Sequence, residues 1–157
     1  IAKSLQTEES FAMNHKDLIA IDIHTHAEVS CWNPFDAYGE EYDRAADKYF
    51  RSSNRPTIAE TIAHYREKKI GLIMFTVDAE ANLGRKRIPN EEIAAAAKEN
   101  SDMMIAFASI DPHKGKMGAR EAERLIKEEG VKGFNAFMDR YMKGPGIERA
   151  AVESEIW

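Results

Sequence analysis

Four short apolar runs, separated by stretches of helical periodicity, constrain this chain more than any other feature. Leu18–His24 (LIAIDIH), Leu72–Val77 (LIMFTV), Met103–Ile110 (MMIAFASI) and the run opening at Val131–Phe137 are of strand length and nearly continuous in apolar character. Pro56 and Thr57 open a helix to about Lys69, with Thr57 and Glu60 spaced as a capping box and Ile58, Ile62 and Tyr65 as its stripe. Glu91–Glu99 is Ala-rich with acids in its first turn, which suits the helix dipole. Met117–Glu129 carries Ala119, Ala122, Leu125 and Ile126 on one face and stops at Gly130. Strands without polar alternation are buried on both faces. The order β-α-β-α-β-α-β therefore predicts an α/β fold, a parallel sheet covered by helices.

Composition agrees with one such domain. The 157 residues, 43% hydrophobic and 31% charged, suffice for a substantial core and exclude a wholly disordered chain. With 22 Lys+Arg against 27 Asp+Glu the net charge is −5, which argues against non-specific binding to nucleic acid or a membrane surface. No apolar run approaches the roughly 18 residues of a membrane-spanning helix. The single Cys31 has no intramolecular disulfide partner, so a reducing cytoplasm is the expected location. Residues 1–17 read as a polar lead-in without the apolar core of a signal peptide, 18–137 as the α/β domain, and 138–157 as an atypical charged, turn-rich tail. Cys31 to Arg55 reads as a long aromatic-rich excursion with one helical segment around Glu41–Tyr49.

Chemistry is concentrated at the ends of the strands. In Ile21-Asp22-Ile23-His24-Thr25-His26, His24 and His26 are two apart and project to one face of a strand. They lie at the C-terminal end of the first parallel strand, the end that carries active sites in α/β folds. Two neutral imidazoles side by side suit zinc or another borderline divalent ion, although a metal site needs further ligands. Asp78 and Asp111 end the second and third strands, 33 residues apart, and are candidate catalytic carboxylates: base, ligand-orienting group or substrate contact. The alternative for each is an ordinary Asp where a strand turns into a loop. His113, between Pro112 and the pair Lys114 and Lys116, is a candidate contact for an anionic substrate. His15 and His64 read as surface residues. No phosphate loop, G-x-G-x-x-G, G-x-S-x-G or paired C-x-x-C is present.

IDIHTH at the first strand, AEVS, TVDAEANLGRKRIPNEEIA, FASIDPHKGKMGAREAERLI and GVKGF resemble the amidohydrolase-related family of the metal-dependent hydrolases. The resemblance is to the branch of aminocarboxymuconate-semialdehyde and γ-resorcylate decarboxylases, and within it to 4-hydroxyphenyl-β-ketoacyl-CoA hydrolase-type proteins. It covers residues 18–134 and implies the N-terminal half of a (β/α)8 TIM-type barrel. It also implies a divalent metal, usually zinc, on His24 and His26. The family completes its site with histidines from the fifth and sixth strands and an aspartate from the eighth, and after GVKGF it continues in the style KFHP. Asn135-Ala136-Phe137-Met138-Asp139 departs from that pattern, which suggests a truncated or frame-shifted product.

The expected activity is hydrolysis of a C–C or acyl bond in an aromatic, β-keto acid or CoA-type substrate, with non-oxidative decarboxylation second. The resemblance implies a small-molecule carboxylate, aromatic or acyl-CoA partner and neither nucleic acid nor membrane. A PHP- or TatD-type phosphoesterase is the other enzyme reading of an HxH strand. The non-enzymatic reading is an inactive fragment without a complete metal site. Half a barrel leaves two open hydrophobic edges, so a homo-oligomer is an expected assembly.

Overall fold

A computed structural model describes residues 13–33, 44, 47–48, 55–83 and 86–135. Four parallel strands, β1 (Ala20–His26), β2 (Ile70–Phe75), β3 (Met104–Ser109) and β4 (Gly133–Asn135), lie side by side in chain order. They curl into a half-barrel, consistent with part of a TIM-type barrel. Three helices cover them: α1 (Ile58–Glu67), α3 (Asn90–Glu99) and α4 (Lys116–Glu129); a single turn, α2 (Glu80–Leu83), precedes α3.

Local signals bound the helices. Thr57 caps α1: its hydroxyl accepts from the Glu60 amide at 3.2 Å while the Glu60 carboxylate accepts from the Thr57 amide at 2.8 Å. Glu91 and Glu92 place two carboxylates in the first turn of α3. The last turn of α4 is closed by Gly130 in the left-handed conformation, where a side chain would be strained.

Helix-facing residues make one core. Leu72, Met74, Ile93, Met103 and Leu125 are fully buried, joined by Ile58, Ile62, Ala94, Ala106 and Val131. Register carries this across the sheet: Thr25 pairs with Met74 and Met74 with Ala106, so a row of buried residues lies beneath the helices.

Two expectations are corrected. The first strand is not buried on both faces: Ile19, Ile21 and Ile23 are 76%, 46% and 71% exposed. Among the described residues β1 pairs with β2 alone, so it is an edge, and an apolar sequence does not supply the missing neighbour. On α4 the buried residues are Gly118 and Leu125, with Ala122 half-buried between them, while Ala119 and Ile126 face outward. Gly118 leads because the helix comes close to the end of β3: a Cβ there would stand 3.0 Å from Ile110 Cγ2, and an alanine would fit only if that side chain gave way slightly.

Part of the polar lead-in is anchored: the Asn14 amide donates to the Asp102 carbonyl at 2.9 Å, and Leu18 and Met13 fill the space over Gly71. The aromatic excursion around Trp32–Phe50 and its helix, for the most part, and the tail 138–157 lie outside the described residues. No helix among the described residues is long and apolar enough to cross a membrane.

Candidate functional site

The histidine pair owes its placement to an irregularity in β1. Asp22 pairs with Leu72 and Thr25 with Met74, so three steps on β1 match two on β2. Side chains alternate with period two, and one extra residue reverses the faces beyond it. Asp22 consequently reaches Tyr65 on α1, on the helix side, whereas His24 and His26 turn to the opposite face. There both rings pack edge-on against Phe75, with centroids 5.0 Å from it in each case.

The two imidazoles converge. His24 Nε2 and His26 Nε2 are 3.0 Å apart and the ring centroids 4.9 Å apart. At that distance the neutral rings share one proton, or both lone pairs point at one cation. Two nitrogens at the usual bond length from a tetrahedral zinc are about 3.3 Å apart, so the pair fits two corners of such a shell. Desolvation by the surrounding protein, reinforced by His24 and opposed by Glu28, lowers the His26 pKa and favours the neutral, ligating form.

Asp78 and Asp111 meet in a second cluster, beyond the ends of β2 and β3. The buried Asp78 Oδ2 accepts from Lys114 Nζ at 2.6 Å, from the Asp111 amide at 2.9 Å and from Arg87 Nη1 at 3.1 Å. Burial alone would raise the Asp78 pKa, but the Lys114 ammonium, the Asp111 amide and the Arg87 guanidinium outweigh it and hold the carboxyl below its usual value. A carboxylate stabilised in this way is a weak base. Arg87 is bound in turn by Glu121, and its own amide donates to Glu80 Oε1 at 3.0 Å. Two cations against Asp78, Glu80 and Glu121 leave the cluster with one negative charge in excess, which does not suit it to bind an anion.

Asp111 caps the short 3-10 turn Pro112–Lys114, its Oδ1 accepting from the His113 amide at 2.8 Å. His113 itself is exposed, and Lys114 points inward to Asp78 instead of towards an outside ligand. His64 and His15 are exposed, as expected.

Several participants were not apparent from sequence patterns. Asn90 donates to the Ser109 carbonyl at 3.0 Å and accepts from the Ser109 amide at 2.9 Å, fastening α3 to the end of β3. The Ser109 hydroxyl oxygen accepts from the Asp78 amide at 2.9 Å. Arg87 and Glu121 lie 34 residues apart, and no local motif announces such a pair.

Among the described residues no group of three or more His, Cys, Asp or Glu is placed to hold a metal ion. No protein-family model, curated protein or solved structure matches the chain. The partial-barrel architecture is one that many enzymes use, and a functional reading rests on the geometry of the histidine pair.

Proposed function

We propose that the chain carries a divalent-metal centre, zinc by preference, founded on His24 and His26. We further propose that it serves an amidohydrolase-type enzyme that hydrolyses a C–C or acyl bond of an aromatic, β-keto acid or CoA-type substrate. The observation that carries this reading is the 3.0 Å approach of the two Nε2 atoms near the C-terminal end of a parallel strand. The family resemblance of IDIHTH and FASIDPHKG points the same way.

The pair supplies two of the four ligands a zinc commonly takes, and the remaining positions fall to groups outside the described residues, to water or to substrate. A metal held there supplies Lewis acidity and a water of lowered pKa. The chain's own residues do the rest. His24 and His26 are oriented by Phe75, whose buried ring backs both imidazoles edge-on. Asp78 stays ionised and holds the βα loops in place, which leaves proton transfer to other groups. Such a protein acts on small molecules in the cytoplasm.

Metal analysis tests this directly. Purified protein should hold about one zinc per chain, as a single site of this kind implies, and His24→Ala/His26→Ala should lose it. Assays of acyl or C–C hydrolysis beside carbon dioxide release distinguish a hydrolase from a carboxy-lyase built on the same pair. Wild-type protein that takes up no zinc, cobalt or manganese overturns the reading.

A further inference from the structure

We infer that Asp22 is a positioning residue for the imidazole pair, acting through the backbone irregularity that it clamps and not as a metal ligand. This rests on the metal reading above for its functional meaning, although the clamp itself is a property of the metal-free chain.

Both carboxylate oxygens are committed. Oδ1 accepts from the His24 backbone N–H at 2.9 Å, and Oδ2 accepts from the Tyr65 hydroxyl at 2.7 Å. These two bonds, Tyr65 first, hold the Asp22 carboxyl below its usual pKa. The extra residue in β1 interrupts regular pairing with β2, and Asp22 supplies the acceptor for the His24 amide there. Tyr65 ties that acceptor to α1. The helix is itself fixed beside the end of β1: Thr57 bridges to Val29, and the Ile58 amide donates to the Val29 carbonyl at 3.1 Å.

The line of force runs from α1 through Tyr65 and Asp22 to the backbone of His24, and from there to its ring against His26 and Phe75. Asp22 stands two residues before His24, yet on the other side of the sheet. It sets the angle at which the strand leaves the irregularity, and with it the distance between the two Nε2 atoms. A group that aims a ligand without touching the metal governs affinity through geometry.

The test uses the full, metal-free chain with 15N-labelled histidine. Wild-type spectra should show the two Nε2 atoms sharing a proton. In Asp22→Ala that signature should vanish and exchange of the His24 amide should accelerate by about tenfold or more, the factor implied by losing one hydrogen bond to a charged acceptor. Amides of β2 should keep their protection. Asp22→Asn, which retains an acceptor for the His24 amide, should restore most of the signature.

Zinc titrations of the same folded proteins should show an affinity loss of about tenfold or more in Asp22→Ala, and recovery to within about threefold of wild type in Asp22→Asn. An Asp22→Ala protein with wild-type imidazole spectra overturns the inference, whatever its zinc affinity. A wild type that binds no zinc, but whose imidazole pair is lost in Asp22→Ala, overturns the metal reading and supports the clamp. If Asp22→Ala does not fold, Tyr65→Phe decides: unchanged imidazole spectra there overturn the inference, and a weakened pair supports it.

Discussion

The Glu92 carboxylate, buried at the start of α3, accepts a hydrogen bond from the backbone N–H of Cys31 at 2.6 Å, across 61 residues of chain. It also accepts from the Ser30 hydroxyl at 2.6 Å and from the Trp32 amide at 3.2 Å. The segment that leaves β1 is thus moored to a helix two strands away. Glu92→Ala strands those donors and should lower stability by about 2–3 kcal/mol, as expected for hydrogen bonds to a charged group. Glu92→Gln keeps one acceptor and should fall between. Urea denaturation reads both, and an unchanged midpoint in the alanine variant would contradict the mooring.

Acid should loosen the ends of β2 and β3. The Asp78 pKa is lower in the folded chain than its ordinary value of 3.8, so its contribution is fully present above about pH 4 and lost as pH falls through the folded value. Lys114→Met removes the shortest of its charge contacts, which raises the folded pKa and should move the acid-unfolding midpoint upward. Asp78→Ala leaves Arg87 and Lys114 with Glu80 and Glu121 alone and should cost about 3 kcal/mol at neutral pH, the low end for breaking a buried ion pair. Acid titrations followed by near-ultraviolet circular dichroism would show whether the midpoints move in these directions.

Phe107 occupies the space above Gly133, its strand neighbour. A Cβ at Gly133 would lie 2.4 Å from the Phe107 Cζ atom, so Gly133→Ala forces the ring aside. The expected loss is about 1–2 kcal/mol. Phe107→Leu in the same background should recover part of it, giving a non-additive double-mutant cycle. Strict additivity of the two changes would show that the ring moves freely.

Arg66 and Asp102 make a two-pronged ion pair, at 2.5 and 3.0 Å, but both side chains are about half exposed. Water and salt screen such a pair, so Arg66→Ala should shift stability by less than about 1 kcal/mol, and less again at high salt. A larger loss in thermal unfolding would mean that the contact from Arg66 to Asn100 Oδ1, at 2.9 Å, matters more than the charges.

What could be read from the residues was what is decided locally. Thr57 and Glu60 form their capping box because both partners sit within one helical turn. The apolar runs became strands in chain order because each βα unit returns the chain parallel to itself. The mutual approach of His24 and His26 followed from a spacing of two. Asp78 and Arg87 were another matter: which charges neutralise a buried carboxylate depends on loops from two βα units meeting. The irregularity in β1 was also hidden, since it exists only relative to β2 and leaves no mark in its own residues. The exposure of Ile19 and Ile23 depends on a neighbour that β1 lacks among the described residues.

The irregularity in β1 has a second effect, on the outer side of that strand. A straight edge bearing Ile19, Ile21 and Ile23 would offer another polypeptide an evenly spaced ladder of donors and acceptors beside an oily surface, the usual start of uncontrolled strand-on-strand growth. The extra residue breaks the even spacing midway, just where Asp22 has claimed the His24 amide. The kink that turns two imidazoles to one face thereby leaves a less regular edge for another strand to pair with.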